Sequence, residues 1–153
     1  MLMSVAMSLH VLAAVVWVGG MFYAYMAMRP AVVKTIDPKL RPALWCHTLS
    51  RFFRWVWAAV IVLLATGYWM IFAHFGGMAG AGWHIHAMNG LGIIMMLLFL
   101  HVFFAPYRRL KQAVEADDPE EGNRRIGQIR LFVGINLVLG LIVVAIAAGG
   151  RYL

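Results

Sequence analysis

The sequence predicts an all-α integral membrane protein, a four-helix bundle with both termini outside the cytoplasm. Of its 153 residues, 63% are hydrophobic and 12% are charged, against about 45–50% and about 25% in ordinary soluble domains. So little charge cannot cover a soluble domain, and so many apolar residues exclude a disordered chain. Three long stretches of the sequence also contain no charged residue, and a glycine-rich run divides the middle one. The lipid bilayer is the expected solvent, and one membrane domain is expected over residues 1–153.

Four transmembrane helices follow from the charge-free stretches, since a span needs about 20 apolar residues. The first and last stretches hold one helix each, and the middle stretch holds two. The run Phe75–Gly82 separates the middle pair, because each glycine weakens a helix by about 1 kcal/mol relative to alanine. The charge-free stretches are Met1–Met28, Trp55–Tyr107 and Leu131–Gly150. The predicted helices cover about 3–28, 52–74, 84–107 and 127–148.

The lysines and arginines orient these helices. Twelve of the 13 flank two loops, one between helices 1 and 2 and one between helices 3 and 4, and the positive-inside rule places such loops in the cytoplasm. Both termini and the glycine loop are then expected outside. This topology explains the net charge of +7, so the bilayer is the expected partner and no nucleic acid is expected. The twelve are Arg29, Lys34, Lys39, Arg41, Arg51, Arg54, Arg108, Arg109, Lys111, Arg124, Arg125 and Arg130.

Three other features have simple interpretations. The first apolar segment lacks a basic region before it and is too long for a signal peptide, so it is expected to be a span. Cys46 is the sole cysteine, which excludes an intrachain disulfide. The segment Glu115–Gly122 holds five of the six acidic residues and is expected to be a solvated turn.

Histidine is the candidate for chemistry at membrane depth, because no Asp or Glu lies in any predicted span. Aligning the helix ends places His10 and His86 at similar depth in the outer half of the bundle. A neutral imidazole in lipid must still satisfy two nitrogens, so both are predicted to be ligands. His74 and His84 are expected at the interface, and His47 in solvent.

Helix 3 carries a second regularity. His86 and His101 are 15 residues apart, close to four helical turns, so they share a face and lie about 22 Å apart. The same stripe holds Asn89, Gly90, Ile93 and Leu97. This stripe is expected to face the bundle interior, with one histidine near each surface.

Imidazole ligands suit haem iron or copper. A haem would need opposed imidazoles, here His10 and His86, and room for a flat porphyrin. Glycines could provide that room, although close helix packing explains them equally well. The glycines concerned are Gly19, Gly20, Gly90, Gly92, Gly134 and Gly140.

Copper has a separate signal in methionine. Met3, Met7 and His10 fall at i, i+4 and i+7 on one helix face, and thioether sulfur is a soft ligand that favours Cu(I). Methionines of the same outer level are Met70, Met78 and Met88. The simpler interpretation is packing, because methionine is a common filler of apolar cores.

The chain resembles two families of bacterial membrane proteins. The residues that carry the resemblance are Leu9-His10 with Trp17 and Gly19-Gly20, Met28-Arg29-Pro30, Thr66-Gly67-Tyr68-Trp69-Met70, Trp83-His-Ile-His86-Ala87 and His101 before Tyr107-Arg108-Arg109. They resemble the copper-resistance D family, which implies a role in copper handling in the bacterial inner membrane. The same frame is similar to the short four-helix protoporphyrinogen oxidases, b-haem proteins, which implies haem ligation by His10, His86 and His101.

The chain departs from the oxidase pattern at two charged positions. Met88 stands where that family has a lysine, and the fourth helix reads Val133-Gly-Ile-Asn136 without the family's glutamate. Porphyrinogen oxidation is therefore not expected.

Two hypotheses remain. The first, favoured from the sequence, is a haem b electron-transfer protein or oxidoreductase exchanging electrons with a quinol or another membrane partner. Its cofactor-binding residues are His10, His86, His101, Trp17, Gly20 and Gly90, with His10 and His86 on the iron. The alternative is copper binding or copper import. Its ligands are Met3, Met7, His10, His74, His84 and Met88. The sequence leaves the oligomeric state open.

Overall fold

The computed structural model describes every residue, Met1–Leu153, and is helical throughout with no strand. Four continuous helical segments of 33 or 34 residues are long and apolar enough to cross a membrane, which confirms the predicted fold class. The elements are α1 (Leu2–Tyr23), a π turn (Ala24–Met28), α2 (Arg29–Thr35), α3 (Arg41–His74), a 3-10 turn (Met78–Gly80), α4 (Trp83–Phe104), α5 (Pro106–Glu115), α6 (Pro119–Gly149) and a 3-10 turn (Gly150–Tyr152). The orientation of the termini remains a prediction.

The π turn between α1 and α2 has a local cause in proline. Pro30 lies in the first turn of α2, and proline lacks an N–H and clashes with the carbonyl four residues before it. Just before the proline, the backbone hydrogen bonds join residues five apart instead of four, and the Arg29 N–H donates to the Ala24 carbonyl. The first span therefore continues through the proline as one helical rod.

The predicted break between α3 and α4 is confirmed. Gly76 and Gly77 have φ values of 72° and 85°, a left-handed conformation that glycine adopts without a steric penalty. The Gly77 N–H donates to the Ile71 carbonyl and closes the end of α3. We call this end of the bundle, which also holds Met1 and Leu153, the glycine end.

The opposite, basic end is longer than the charge-free stretches indicate. α3 begins at Arg41, about three turns before the predicted span, and α6 begins at Pro119, about two turns before its predicted span. Contacts between helices stabilise these charged turns: a Cβ at Gly122 would lie 2.7 Å from Pro42, and Leu110 of α5 is fully buried. Side-chain packing at this end thus extends helices that hydropathy alone would end.

The core is an aromatic cluster that joins α1, α3 and α4. Phe99 is at its centre, with ring centroids 5.3 Å from Trp57, 5.5 Å from Phe53, 5.9 Å from Phe103 and 6.2 Å from Trp17. Three of these four contacts are edge-to-face, which adds about 0.5–1.5 kcal/mol each beyond the buried area. Elsewhere α1 packs mainly on α3, and α6 packs on α4 and α5.

Candidate metal centre

His10 lies in the interface between α1 and α3, towards the glycine end. Its Nδ1 is 2.8 Å from Oγ1 of Thr66, and the ring is half-buried. Gly67 makes room for it, because a Cβ there would lie 3.2 Å from His10 Cε1, tighter than ordinary van der Waals contact. The pair Thr66-Gly67 thus supplies a hydrogen-bond partner and the space for the imidazole at adjacent positions.

The hydrogen bonds of Thr66 determine the tautomer of His10. The Thr66 hydroxyl lies 2.6 Å from the Val62 carbonyl oxygen and donates its single proton there. It can only accept from the imidazole, so His10 Nδ1 carries the proton and Nε2 carries the lone pair. Orientation of a ligand histidine through its second nitrogen is the usual arrangement at metal sites. Nε2 of His10 is therefore unprotonated, as binding to a metal ion requires.

Sulfur lies on the same two helix faces. Met70 follows Thr66 by four residues and Met3 precedes His10 by seven, so each shares a face with its reference residue. Because α1 and α3 run antiparallel, both methionines lie on the glycine-end side of His10. Met70 is buried and Met3 is half-buried. Met7 is 43% exposed and lies on the outer flank of α1.

An apolar groove of about 330 Å³ opens beside this site. It lies between the outer turns of α1 and α3, and Thr66 is the one polar residue in its lining. Its lining residues are Leu2, Val5, Ala6, Leu9, Ala65, Thr66 and Trp69.

The histidine stripe of α4 does not face the bundle interior, so that expectation is wrong. His86, Gly90, Ile93, Leu97 and His101 are all exposed. α4 instead turns Ile85, Met95, Phe99 and Val102 inward. The reason is that both sides of this helix are apolar, so the histidines do not mark its inner face. No hydrogen bond joins His10, which is turned to α3, with His86 on α4.

The remaining predicted ligands are dispersed. His74 is exposed with its ring edge-on to Trp69 at 5.6 Å, and His101 lies edge-on to Phe132 at 4.8 Å. His84 is half-buried between glycines, since a Cβ at Gly82 or Gly150 would come within 2.9 Å of it. Met88 is half-buried on α4. No group of three or more His, Cys, Asp or Glu side chains forms anywhere in the chain.

Half of the glycines considered as room for a porphyrin lie directly against neighbouring side chains. A Cβ at Gly20 would overlap the ring of Phe52, and one at Gly140 would lie 2.9 Å from Val18. Gly134 lies against Tyr25 in the same way, whereas Gly19, Gly90 and Gly92 border open space. Trp17 is 3% exposed and belongs to the aromatic core.

Two polar residues near the site, Thr66 and Tyr68, were not predicted from the sequence as functional residues. Thr66 was considered only as part of a motif, although a hydroxyl in a span must bond to something. Tyr68, two residues later, donates to Asn89 Oδ1 at 2.9 Å and links α3 to α4. Hydroxyl residues within the spans, and not only charged ones, are therefore the signal in the sequence that points to Thr66 and Tyr68.

The comparisons with known proteins support copper and give no support to haem. The family model for copper resistance protein D matches residues 46–149, from the first turns of α3 to the end of α6. Neither the curated proteins nor the solved structures yielded a match. The matched residues are 104 of the 153, more than half of the sequence, and with the four long apolar helices they define a multi-pass membrane protein. The chain belongs to the copper resistance protein D family.

Proposed function

We propose that this protein binds Cu(I) as cargo at the glycine end of the bundle and imports it across the bacterial inner membrane. The observation that carries the proposal is the hydrogen-bond chain from His10 through Thr66 to the Val62 carbonyl. It leaves His10 Nε2 as an unprotonated ligand in an otherwise apolar interface. The family match to copper resistance protein D supports copper as the metal.

The available donors favour the reduced ion. Imidazole nitrogen and thioether sulfur are neutral and soft, a combination that selects Cu(I) over harder divalent ions. His10 would bind through Nε2, with Met3 and Met70 as the sulfur ligands on the same helix faces. No side-chain carboxylate lies near enough to add a hard oxygen ligand, since all six acidic residues are at the basic end.

The depth of the site fits transport more than storage at the surface. His10 lies eight residues after the start of α1, about 12 Å along the helix. An ion at that depth has exchanged water for protein ligands. A monovalent cation held by neutral ligands costs less to desolvate than a divalent one, because the desolvation penalty rises steeply with charge.

Anaerobic titration of the purified protein with Cu(I), against a chromophoric Cu(I) chelator, tests the proposal. His10→Ala should weaken binding strongly and should abolish copper uptake into proteoliposomes. His47→Ala is the matched control, because His47 is exposed at the basic end and should leave both measurements unchanged. Equal affinity and equal uptake in wild type and His10→Ala would refute the proposal.

A pyridine haemochrome assay on the same preparation separates the two cofactor hypotheses. Protein that binds Cu(I) and yields no haemochrome agrees with the proposal. A stoichiometric haemochrome that disappears in both His10→Ala and His86→Ala would instead establish the haem hypothesis.

A further inference from the structure

Asn136 holds the chain's one buried side-chain polar atom that lacks a hydrogen-bond partner. The residue lies in the middle of α6 and is 4% exposed. Its Nδ2 donates to the Met95 carbonyl of α4 at 3.1 Å, whereas its Oδ1 has no partner. A buried amide oxygen without a partner costs about 1–3 kcal/mol, so this oxygen needs an explanation.

The orientation of the amide is determined by chemistry. A backbone carbonyl cannot donate, so the group of Asn136 that faces the Met95 carbonyl must be the NH₂. Oδ1 therefore points away from that carbonyl as a free acceptor. The bond to Met95 holds the carboxamide plane in place and leaves its oxygen available to a ligand.

Two buried methionines lie at the level of Asn136. Met95 is 3% exposed, and its Cε would be 3.2 Å from a Cβ at Gly140, one turn along α6. α1 supplies Met21, which is 2% exposed.

The register of α1 against α6 places Met21 at about the level of Asn136. A Cβ at Gly140 would lie 2.9 Å from Val18, and one at Gly134 would lie 3.1 Å from Tyr25. Met21 lies between Val18 and Tyr25 on one helix face, and Asn136 lies between Gly134 and Gly140 along the axis of α6. The two residues therefore share a level in the junction of α1, α4 and α6.

We infer that Met21, Met95 and Asn136 form a second Cu(I) site inside the bundle, deeper than the His10 site. The two thioethers would be the principal ligands, and the unpartnered Oδ1 would be the third. The inference rests on the proposed function, because it assigns a second binding site to the same transported ion. Met21 is 11 residues beyond His10 on α1, about 16 Å nearer the basic end.

The ligand chemistry favours Cu(I) over other occupants. A water molecule would satisfy Oδ1 but would gain little from two thioethers, which are weak hydrogen-bond acceptors. Hard cations would prefer more oxygen ligands than this junction contains. Cu(I) is soft and binds thioether sulfur, and its single charge is the smallest that a membrane interior must accommodate.

Counting Cu(I) ions per chain tests this site in the intact protein. Anaerobic titration should give two Cu(I) in wild type, one in His10→Ala and none in His10→Ala combined with Met95→Leu. X-ray absorption on copper-loaded His10→Ala should show sulfur ligands to copper. Adding Met21→Leu or Met95→Leu should lower the number of sulfur ligands per copper. Met26→Leu is the matched control, since Met26 lies on the same span but is 56% exposed.

Asn136→Leu gives a second measurement that a purely structural asparagine would not reproduce. It removes an unpartnered oxygen from the core, so the thermal unfolding midpoint should stay level or rise while the second Cu(I) is lost. Retention of that second Cu(I) in Asn136→Leu or in Met95→Leu would overturn the inference.

Failure of this inference can be distinguished from failure of the proposed function. If wild type binds one Cu(I) and His10→Ala binds none, the inner site does not exist and the proposed function stands. If wild type binds no Cu(I), both are wrong.

Discussion

The imidazole of His10 and the hydroxyl of Thr66 join α1 to α3 through a hydrogen bond of 2.8 Å. Since the hydroxyl proton of Thr66 goes to the Val62 carbonyl at 2.6 Å, this bond runs from imidazole to hydroxyl. One threonine thus determines both the tautomer and the orientation of the ring. The residue that orients the His10 ring is therefore on a different helix from His10.

Thr66→Val should weaken Cu(I) binding without removing a ligand. Valine keeps the shape of threonine but cannot accept the Nδ1–H, so the ring loses its fixed tautomer and orientation. Loss of such an orienting partner typically lowers metal affinity roughly 10–100-fold, measurable by chelator competition. Thr66→Ser keeps the hydroxyl group and should retain most of the wild-type affinity.

Thr48→Val is the control for this prediction. Thr48 lies on the same helix and donates to the Leu44 carbonyl at 2.9 Å in the same manner, but it makes no hydrogen bond to a histidine ring. It should leave Cu(I) affinity unchanged. Equal weakening by Thr48→Val and Thr66→Val would mean that helix stability, and not the tautomer, is responsible.

The adjacent glycines of α1 should respond oppositely to alanine. A Cβ at Gly20 would overlap the Phe52 ring, whereas one at Gly19 meets nothing within 4 Å. Gly20→Ala should destabilise the protein by about 1–3 kcal/mol through overpacking. Gly19→Ala should be neutral or stabilise by up to about 1 kcal/mol through helix propensity. Thermal unfolding in detergent measures both, and equal effects would contradict the α1–α3 contact.

Phe99→Ala should cause a large loss of stability. Phe99 is 4% exposed and contacts four aromatic rings, so its truncation leaves a cavity that costs about 3–5 kcal/mol. Phe104→Ala serves for comparison, because Phe104 is 60% exposed. Chemical unfolding monitored by tryptophan fluorescence should separate the two variants, and similar midpoints would show that α4 packs on a different face.

The topology can be tested with a reporter fused after Leu153. Because 12 of the 13 Lys and Arg flank the two basic-end loops, the positive-inside rule predicts that the C-terminus is outside the cytoplasm. Alkaline phosphatase at that position should be active, and green fluorescent protein should not fluoresce. The reverse result would place His10 in the cytoplasmic half and turn the proposed direction of import into export.

Length, composition and charge were enough to predict the fold. Charge-free stretches of the right length can only be membrane helices, because an unpaired backbone in lipid is too costly. Gly76 and Gly77 adopt the positive φ values that break the middle stretch. The family could also be recognised from the sequence, since its motifs include residues such as His86 and His101 and need no tertiary contacts to be identified.

The tertiary structure alone decided which helix faces point inward. For α4, the sequence suggested the stripe from His86 to His101, and the structure turns Met95 and Phe99 inward instead. In a soluble helix the polar residues would have marked the outer face, but a membrane helix is apolar on both sides and its hydrophobic pattern carries little of that information. Packing against Trp57 and Asn136 determines the inner face, and these contacts join residues far apart in sequence.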